Sequence, residues 1–166
     1  WRRERAQFSQ HALDRAAALK AVNEIGIALS SERNLDRLLE LILTRARHLV
    51  AADAGSLYLV RKGEQEHRYL YFALAQNDSI TAPWEASVIP LNPRSVAGAV
   101  ALRGEVVVVD DAYTLPTDGE LHHDQSFDLR FHYRTRSLVG IPLLTREGEV
   151  LGVLQLINRK PRAGVP

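Results

Sequence analysis

The sequence predicts an α+β domain: a mainly antiparallel sheet of about six strands with flanking helices. Two observations carry this. Over roughly the first 50 positions apolar residues recur at three- and four-residue steps, the period of a helix. Beyond them they gather into short β-branched, aromatic and aliphatic runs bounded by Gly, Pro, Asn and Asp, the pattern of short strands.

Each element follows in turn. Glu4 to Ser30 is rich in helix formers, and Phe8, Ala12, Ala16, Leu19, Val22, Ile25 and Leu29 form an apolar stripe. Residues 1–31 are therefore expected to be an entry helix whose stripe covers the domain's own sheet or pairs with a second copy. Asn34 caps a second helix, buried through Leu35, Leu38, Leu39, Ile42, Ala46 and Leu49. Gly55–Val60 and Tyr69–Leu74 read as a hairpin around a charged loop containing Gly63. A polar stretch follows over 75–86, then a short strand in "ASVIPLN". In "NPRSVAGAVALRGE", Asn92 or Ser95 starts a short helix of small residues that Gly104 stops. The strand "VVVVDDAY" leaves the core at Asp110 and enters a long polar connection with a turn or two of helix around Phe127–His132. A connection of that length inside a compact domain points to function. "SLVGIPLL" and "EVLGVLQLIN" then pair across a turn at Glu147 and Gly148.

Composition excludes several classes. The chain has 166 residues, 46% apolar and 25% charged, which suits one domain with flanking segments. Its 21 basic residues nearly balance 20 acidic ones, so the net charge of +1 gives no reason to expect a nucleic-acid or anionic-membrane partner. Without cysteine there is no disulfide framework and no thiolate nucleophile, and a reducing, cytoplasmic setting is the default expectation. No apolar run approaches the roughly 20 residues that span a bilayer. The chain opens with Trp1 and contains no methionine, so it is expected to be cut from a longer protein: residues 32–160 the folded domain, 161–166 an exit linker toward a missing output domain.

"VAGAVALRGEVVVVDDAY" followed by "YRTRSLVGIPLLTREGEVLGVLQLINRK" closely resembles the GAF domain, a small-molecule-binding regulatory module. "YRTRS" with "GVLQLIN" is most similar to its cyclic-nucleotide-binding branch, found in phosphodiesterases and adenylyl cyclases. The resemblance implies a GAF/PAS-like sheet carrying cyclic AMP or cyclic GMP beneath the short helix and two loops, and no cofactor beyond that ligand. It implies contacts at Asn77, Ser95, Val96, Ala97, Asp124, Asp128, Thr135 and Gln155. Backbone amides of Ser95, Val96 and Ala97 at a helix start suit a cyclic phosphate, and Gly98 allows close approach. Asn77 and Asp128 offer a donor and acceptor pattern for a purine edge, Thr135 a hydroxyl, and Gln155 a reach to ribose or phosphate. Phe131 stands where some relatives place a second hydroxyl. The family's distal signature, Asn-Lys followed at a distance by Phe and then Asp-Glu, is departed from here: Asn158 is followed by Arg159 and Lys160, with no Phe or Asp-Glu pair up to Pro166. As a regulatory sensor the domain would dimerise through its entry helix and bias an attached cyclase, cyclic-dinucleotide phosphodiesterase or kinase.

Two other readings remain. His122, His123, Asp124, Asp128 and His132 are metal-ligand types in one connection, the raw material of a metal-dependent phosphohydrolase. Alternatively the domain is a ligand-free interaction module, since fold alone does not settle function.

Overall fold

The computed structural model describes Lys20 and residues 34–161. The predicted helix of residues 1–31, Lys20 apart, and the linker beyond Pro161 lie outside the described residues.

Helix α1 spans Leu35–Val50 and starts where predicted: the Asn34 side chain accepts the amides of Asp36 at 2.9 Å and Arg37 at 3.3 Å. Ala51, in the left-handed region at φ 55°, ends it and turns the chain directly into the sheet. The strands are β1 (Ala52–Lys62), β2 (Arg68–Asn77), β3 (Ser87–Pro90), β4 (Val107–Val109), β5 (Leu138–Leu144) and β6 (Val150–Arg159). They form one sheet in the order β3-β2-β1-β6-β5-β4, every neighbouring pair antiparallel. β1 begins three residues before the predicted Gly55, because Ala52 and Ala54 find partners in Arg159 and Ile157 of β6. β2 also runs on, to Asn77.

Strand alternation divides the core into two layers. On one face Leu39 and Leu43 of α1 pack against Leu57, Leu154 and Leu156. On the other, helix α2 (Val96–Arg103) sets Val96, Ala97, Val100 and Ala101 against Leu70, Val109, Leu138 and Val153. Burying each fully enclosed leucine or valine contributes about 1.5–3 kcal/mol. Gly104, at φ 68°, closes α2 as the sequence predicts. Helix α3 (Ser126–Phe131) lies in the long connection between β4 and β5. Both polar connections and the start of α2 meet over the sheet face opposite α1. Among the described residues no helix is long and apolar enough to cross a membrane.

Candidate functional site

Where these segments meet they enclose a cavity of about 760 Å³. β1, β2 and β6 form its floor, α2 presents its first turn, and residues 77–87 and 122–135 supply rim and roof. Asn77, Ser95, Val96, Ala97, Asp124, Asp128, Thr135 and Gln155, chosen from sequence over a span of 79 positions (155 − 77 + 1), all line this one space.

The start of α2 is a tightly capped turn in which the Ser95 amide is already committed to the Asn92 carbonyl at 3.1 Å, so of the three amides expected to meet a phosphate those of Val96 and Ala97 remain. The Ser95 hydroxyl accepts the Gly98 amide at 3.0 Å and donates to the Asn92 carbonyl at 2.9 Å. A β-carbon at Gly98 would stand 1.9 Å from that carbonyl oxygen, so only glycine lets the turn fold this tightly. Val96 and Ala97 are buried at the helix start, where amides have no acceptor one turn back and the positive end of the helix dipole adds to them. Together they make a site suited to an anion.

Asp128 is 2% exposed and its carboxylate is already well used. Oδ2 accepts the Thr135 amide at 2.7 Å and the Tyr113 hydroxyl at 3.0 Å, and lies 3.2 Å from His123 Nε2. Oδ1 accepts the Thr135 hydroxyl at 2.9 Å. Oδ2 is crowded with protein partners, while Oδ1, with one protein donor, keeps a lone pair free. Asp128 and Thr135 thus hold the roof to the root of β5 as well as lining the cavity. Desolvation, then the neighbouring Asp128, pushes the Tyr113 phenol up from its ordinary value.

The remaining predicted groups are more open. The Asn77 carbonyl oxygen accepts the amides of Ser79 at 2.8 Å and Ile80 at 3.1 Å, which fixes the rim loop and turns its NH2 outward from that turn. Gln155 Oε1 accepts the hydroxyls of Ser56 and Tyr58, both at 3.3 Å, leaving an NH2 over the floor. Asp124 accepts the Ser126 amide at 2.9 Å at the start of α3, and that backbone hydrogen bond holds its carboxyl below the usual range.

The model of the family described as "GAF domain" matches residues 34–165. The chain belongs to the GAF family. It is 31% identical over 139 residues to a cGMP-specific 3′,5′-cyclic phosphodiesterase of Drosophila virilis, a match covering 79% of this chain and 15% of that protein. The domain therefore corresponds to a small part of that relative's length. Among solved structures it superposes on the GAF domain of a phosphoenolpyruvate-protein phosphotransferase from Coxiella burnetii with a TM-score of 0.63 at 21% identity, covering 86% of this chain and 78% of that one. The A. Aeolicus nlh2 GAF domain in an inactive state gives a TM-score of 0.65 at 16% identity over 89% of this chain and 83% of the other.

In this GAF domain the polar lead-in to β5 forms part of the cavity rim and also staples three segments together. The Tyr133 hydroxyl donates to Asp53 Oδ2 at 2.9 Å and accepts from the Asn158 NH2 at 3.0 Å. Asn158 also donates to the Arg134 carbonyl at 2.7 Å and accepts the Arg136 amide at 2.7 Å. The Arg134 guanidinium lies 4.7 Å from the Tyr113 ring centre, in cation–π contact. Asp53, buried on β1, further accepts Ser79 at 2.7 Å and pairs with Lys160 at 3.1 Å. Burial acts to raise its carboxyl, but the bonds from Ser79, Lys160 and Tyr133 together hold it below 3.8. Lys160 reaches Asp78 as well, at 2.8 Å, and Arg47 pairs with Asp78 from α1. Tyr133, Arg134, Asn158 and Lys160 fall in motifs legible in the sequence, whereas Arg47, Asp53, Asp78 and Ser79, scattered from α1 to the β2–β3 connection, carried no functional signal there.

The histidines do not gather into a metal centre. Among the described residues no three or more His, Cys, Asp or Glu side chains are placed to hold a metal ion. His123 instead binds Asp128, with its ring centre 5.5 Å from that of Tyr113, while His132 caps α3 at φ 50°. The residues the sequence reading passed over are aromatic: Tyr58, Phe72, Trp84, Phe127 and Tyr133 all line the cavity. For Tyr58 and Phe72 the signal was alternation within β1 and β2, which ordinary core packing produces equally, whereas Trp84, Phe127 and Tyr133 come from connections and α3 and follow no strand period.

Proposed function

We propose that this GAF domain is a regulatory sensor that binds a cyclic purine nucleotide in the cavity and relays occupancy to an attached output domain. The supporting observation is the joining of an anion-suited helix start at Val96 and Ala97 to an aromatic-lined space of about 760 Å³. A cyclic phosphate carries one negative charge, which suits free amides without needing a lysine. Asn77 and Gln155 offer hydrogen-bonding groups to base or sugar, and Asp128 and Thr135 shape the wall beside them.

Relay runs through the staple. Tyr133 on the rim touches Asp53 and Asn158, and Lys160 at the exit binds Asp53 and Asp78, so closing the rim shifts the segment that leads out of β6. The entry helix over residues 1–31 pairs two copies, and residues 161–166 lead to the output domain. The setting is cytoplasmic, where cyclic nucleotides are made and degraded.

Calorimetry of the purified domain with cyclic AMP and cyclic GMP tests the ligand. Saturable binding of either supports the proposal, and no binding of both at millimolar concentration overturns it. Sedimentation before and after deleting residues 1–30 tests the pairing, which unchanged mass would exclude.

A further inference from the structure

One side chain on the rim stands apart from the predicted contacts. Trp84 sits in the connection between β2 and β3, lines the cavity mouth and is 41% exposed. Its indole N–H makes no hydrogen bond among the described residues. Keeping so large an apolar ring half in water brings the isolated fold little, since buried area is what stabilises.

The ring has a defined setting nonetheless. It meets Phe72 edge-on, centroids 6.0 Å apart at 80°, and Phe72 in turn lies 5.3 Å from Tyr58. The three rings run from floor to mouth along one wall. Different elements bring Phe127, Phe131 and Tyr133 to the same cavity, with Phe127 4.8 Å from Phe131 and 6.5 Å from Tyr133. A cavity lined by aromatic rings from two sides favours a flat, polarisable guest over a merely charged one. Its anion-suited helix start does not discriminate between phosphates.

We infer that Trp84 is a specificity-determining residue: it covers the aromatic ring of the ligand, so the cavity selects a base-bearing cyclic phosphate over a base-free one. This rests on the cyclic-nucleotide reading above. The indole supplies a broad π-face that an aliphatic residue cannot replace. Phenylalanine replaces most of that face with a smaller ring.

The test compares wild type, Trp84→Leu and Trp84→Phe by calorimetry with cyclic GMP, cyclic AMP and base-free ribose 3′,5′-cyclic phosphate, with thermal melts alongside. Stacking on one aromatic side chain is worth enough to predict a roughly ten-fold weaker Kd for the nucleotides in Trp84→Leu, with Trp84→Phe retaining most affinity. The base-free phosphate should bind all three proteins alike, and melting should be unchanged. Nucleotide affinity unaltered in Trp84→Leu overturns this inference and leaves the cyclic-nucleotide reading standing. Equal losses for nucleotide and base-free phosphate, or a lowered melting temperature, overturn it in favour of a structural role. A wild type that binds neither nucleotide removes the reading, and this inference with it.

Discussion

Thr135 binds the Asp128 carboxylate twice, through its amide at 2.7 Å and its hydroxyl at 2.9 Å, both groups buried. Thr135→Val keeps the shape and strips one donor from a buried carboxylate. The variant is expected to lose about 1–3 kcal/mol of unfolding free energy. Asp128→Ala should lose more, because it strands Thr135, Tyr113 and His123 together. Urea denaturation of both variants measures this, and a Thr135→Val protein as stable as wild type would show that the hydroxyl contributes nothing.

The ion pairs around Lys160 give the acid limb a direction. Hydrogen bonds from Lys160 and then Arg47 hold the Asp78 carboxyl at about 2, below its ordinary 3.8. A carboxyl depressed in the folded state stabilises fully above its unfolded value, and that stabilisation disappears as pH falls through the folded one. The urea midpoint should therefore drop between about pH 4 and 2, and less steeply in Asp78→Asn. Lys160 works in the opposite sense: Asp78 and Asp53 raise it above 10.5, so its contribution persists below that value and is lost at more alkaline pH. Parallel acid curves for wild type and Asp78→Asn would show the pair to be inert.

At the start of α2 two substitutions separate capping from close approach. Ser95→Ala is expected to cost about 1 kcal/mol and Ser95→Gly only a few tenths. Gly98→Ala must move the helix off the Asn92 carbonyl, costing about 1–3 kcal/mol. It should also weaken cyclic-nucleotide binding by displacing the Val96 and Ala97 amides. Thermal melts and calorimetry read the two effects, and undiminished binding in Gly98→Ala would argue against an anion site there.

The histidines should prove unequal. His122→Ala, on an exposed side chain, is expected to change stability by less than about 0.5 kcal/mol. His123→Ala loses the Asp128 contact and should cost about 1 kcal/mol. Added zinc should shift neither melting temperature, and a zinc-dependent rise abolished in His123→Ala would revive the metal reading.

The fold was legible because its punctuation is local. Asn34, Ser95 and Gly104 mark helix ends through their own side chains or backbone freedom, and β-branched runs mark strands whatever lies beyond them. Strand ends were less legible, since β1 reaches back to Ala52 only because β6 is there to pair with it. The site divides the same way. The eight residues singled out in the sequence line one cavity. Their commitments could not be read: nothing in the spacing says that Asp128 gives its oxygens to Tyr113, 15 residues away, and Thr135, 7 away. In the Asp53 staple, positions 133 and 160 belong to quoted motifs, but nothing in the sequence announced that they meet Asp53 and Ser79.

The place of β6 governs how the domain can be made. Among the described residues it is the last strand in sequence, and it lies inside the sheet between β1 and β5. Before it leaves the ribosome, β3-β2-β1 and β5-β4 are separate pieces with no ladder joining them. Ser56 must wait for Gln155, 99 residues later. At roughly 5–20 residues per second that delay is about 5–20 s, during which the apolar edge of β1 is unpartnered. Nascent chains stalled before Val150 should be protease-sensitive and chaperone-bound, and the sheet closes in one step once β6 has emerged.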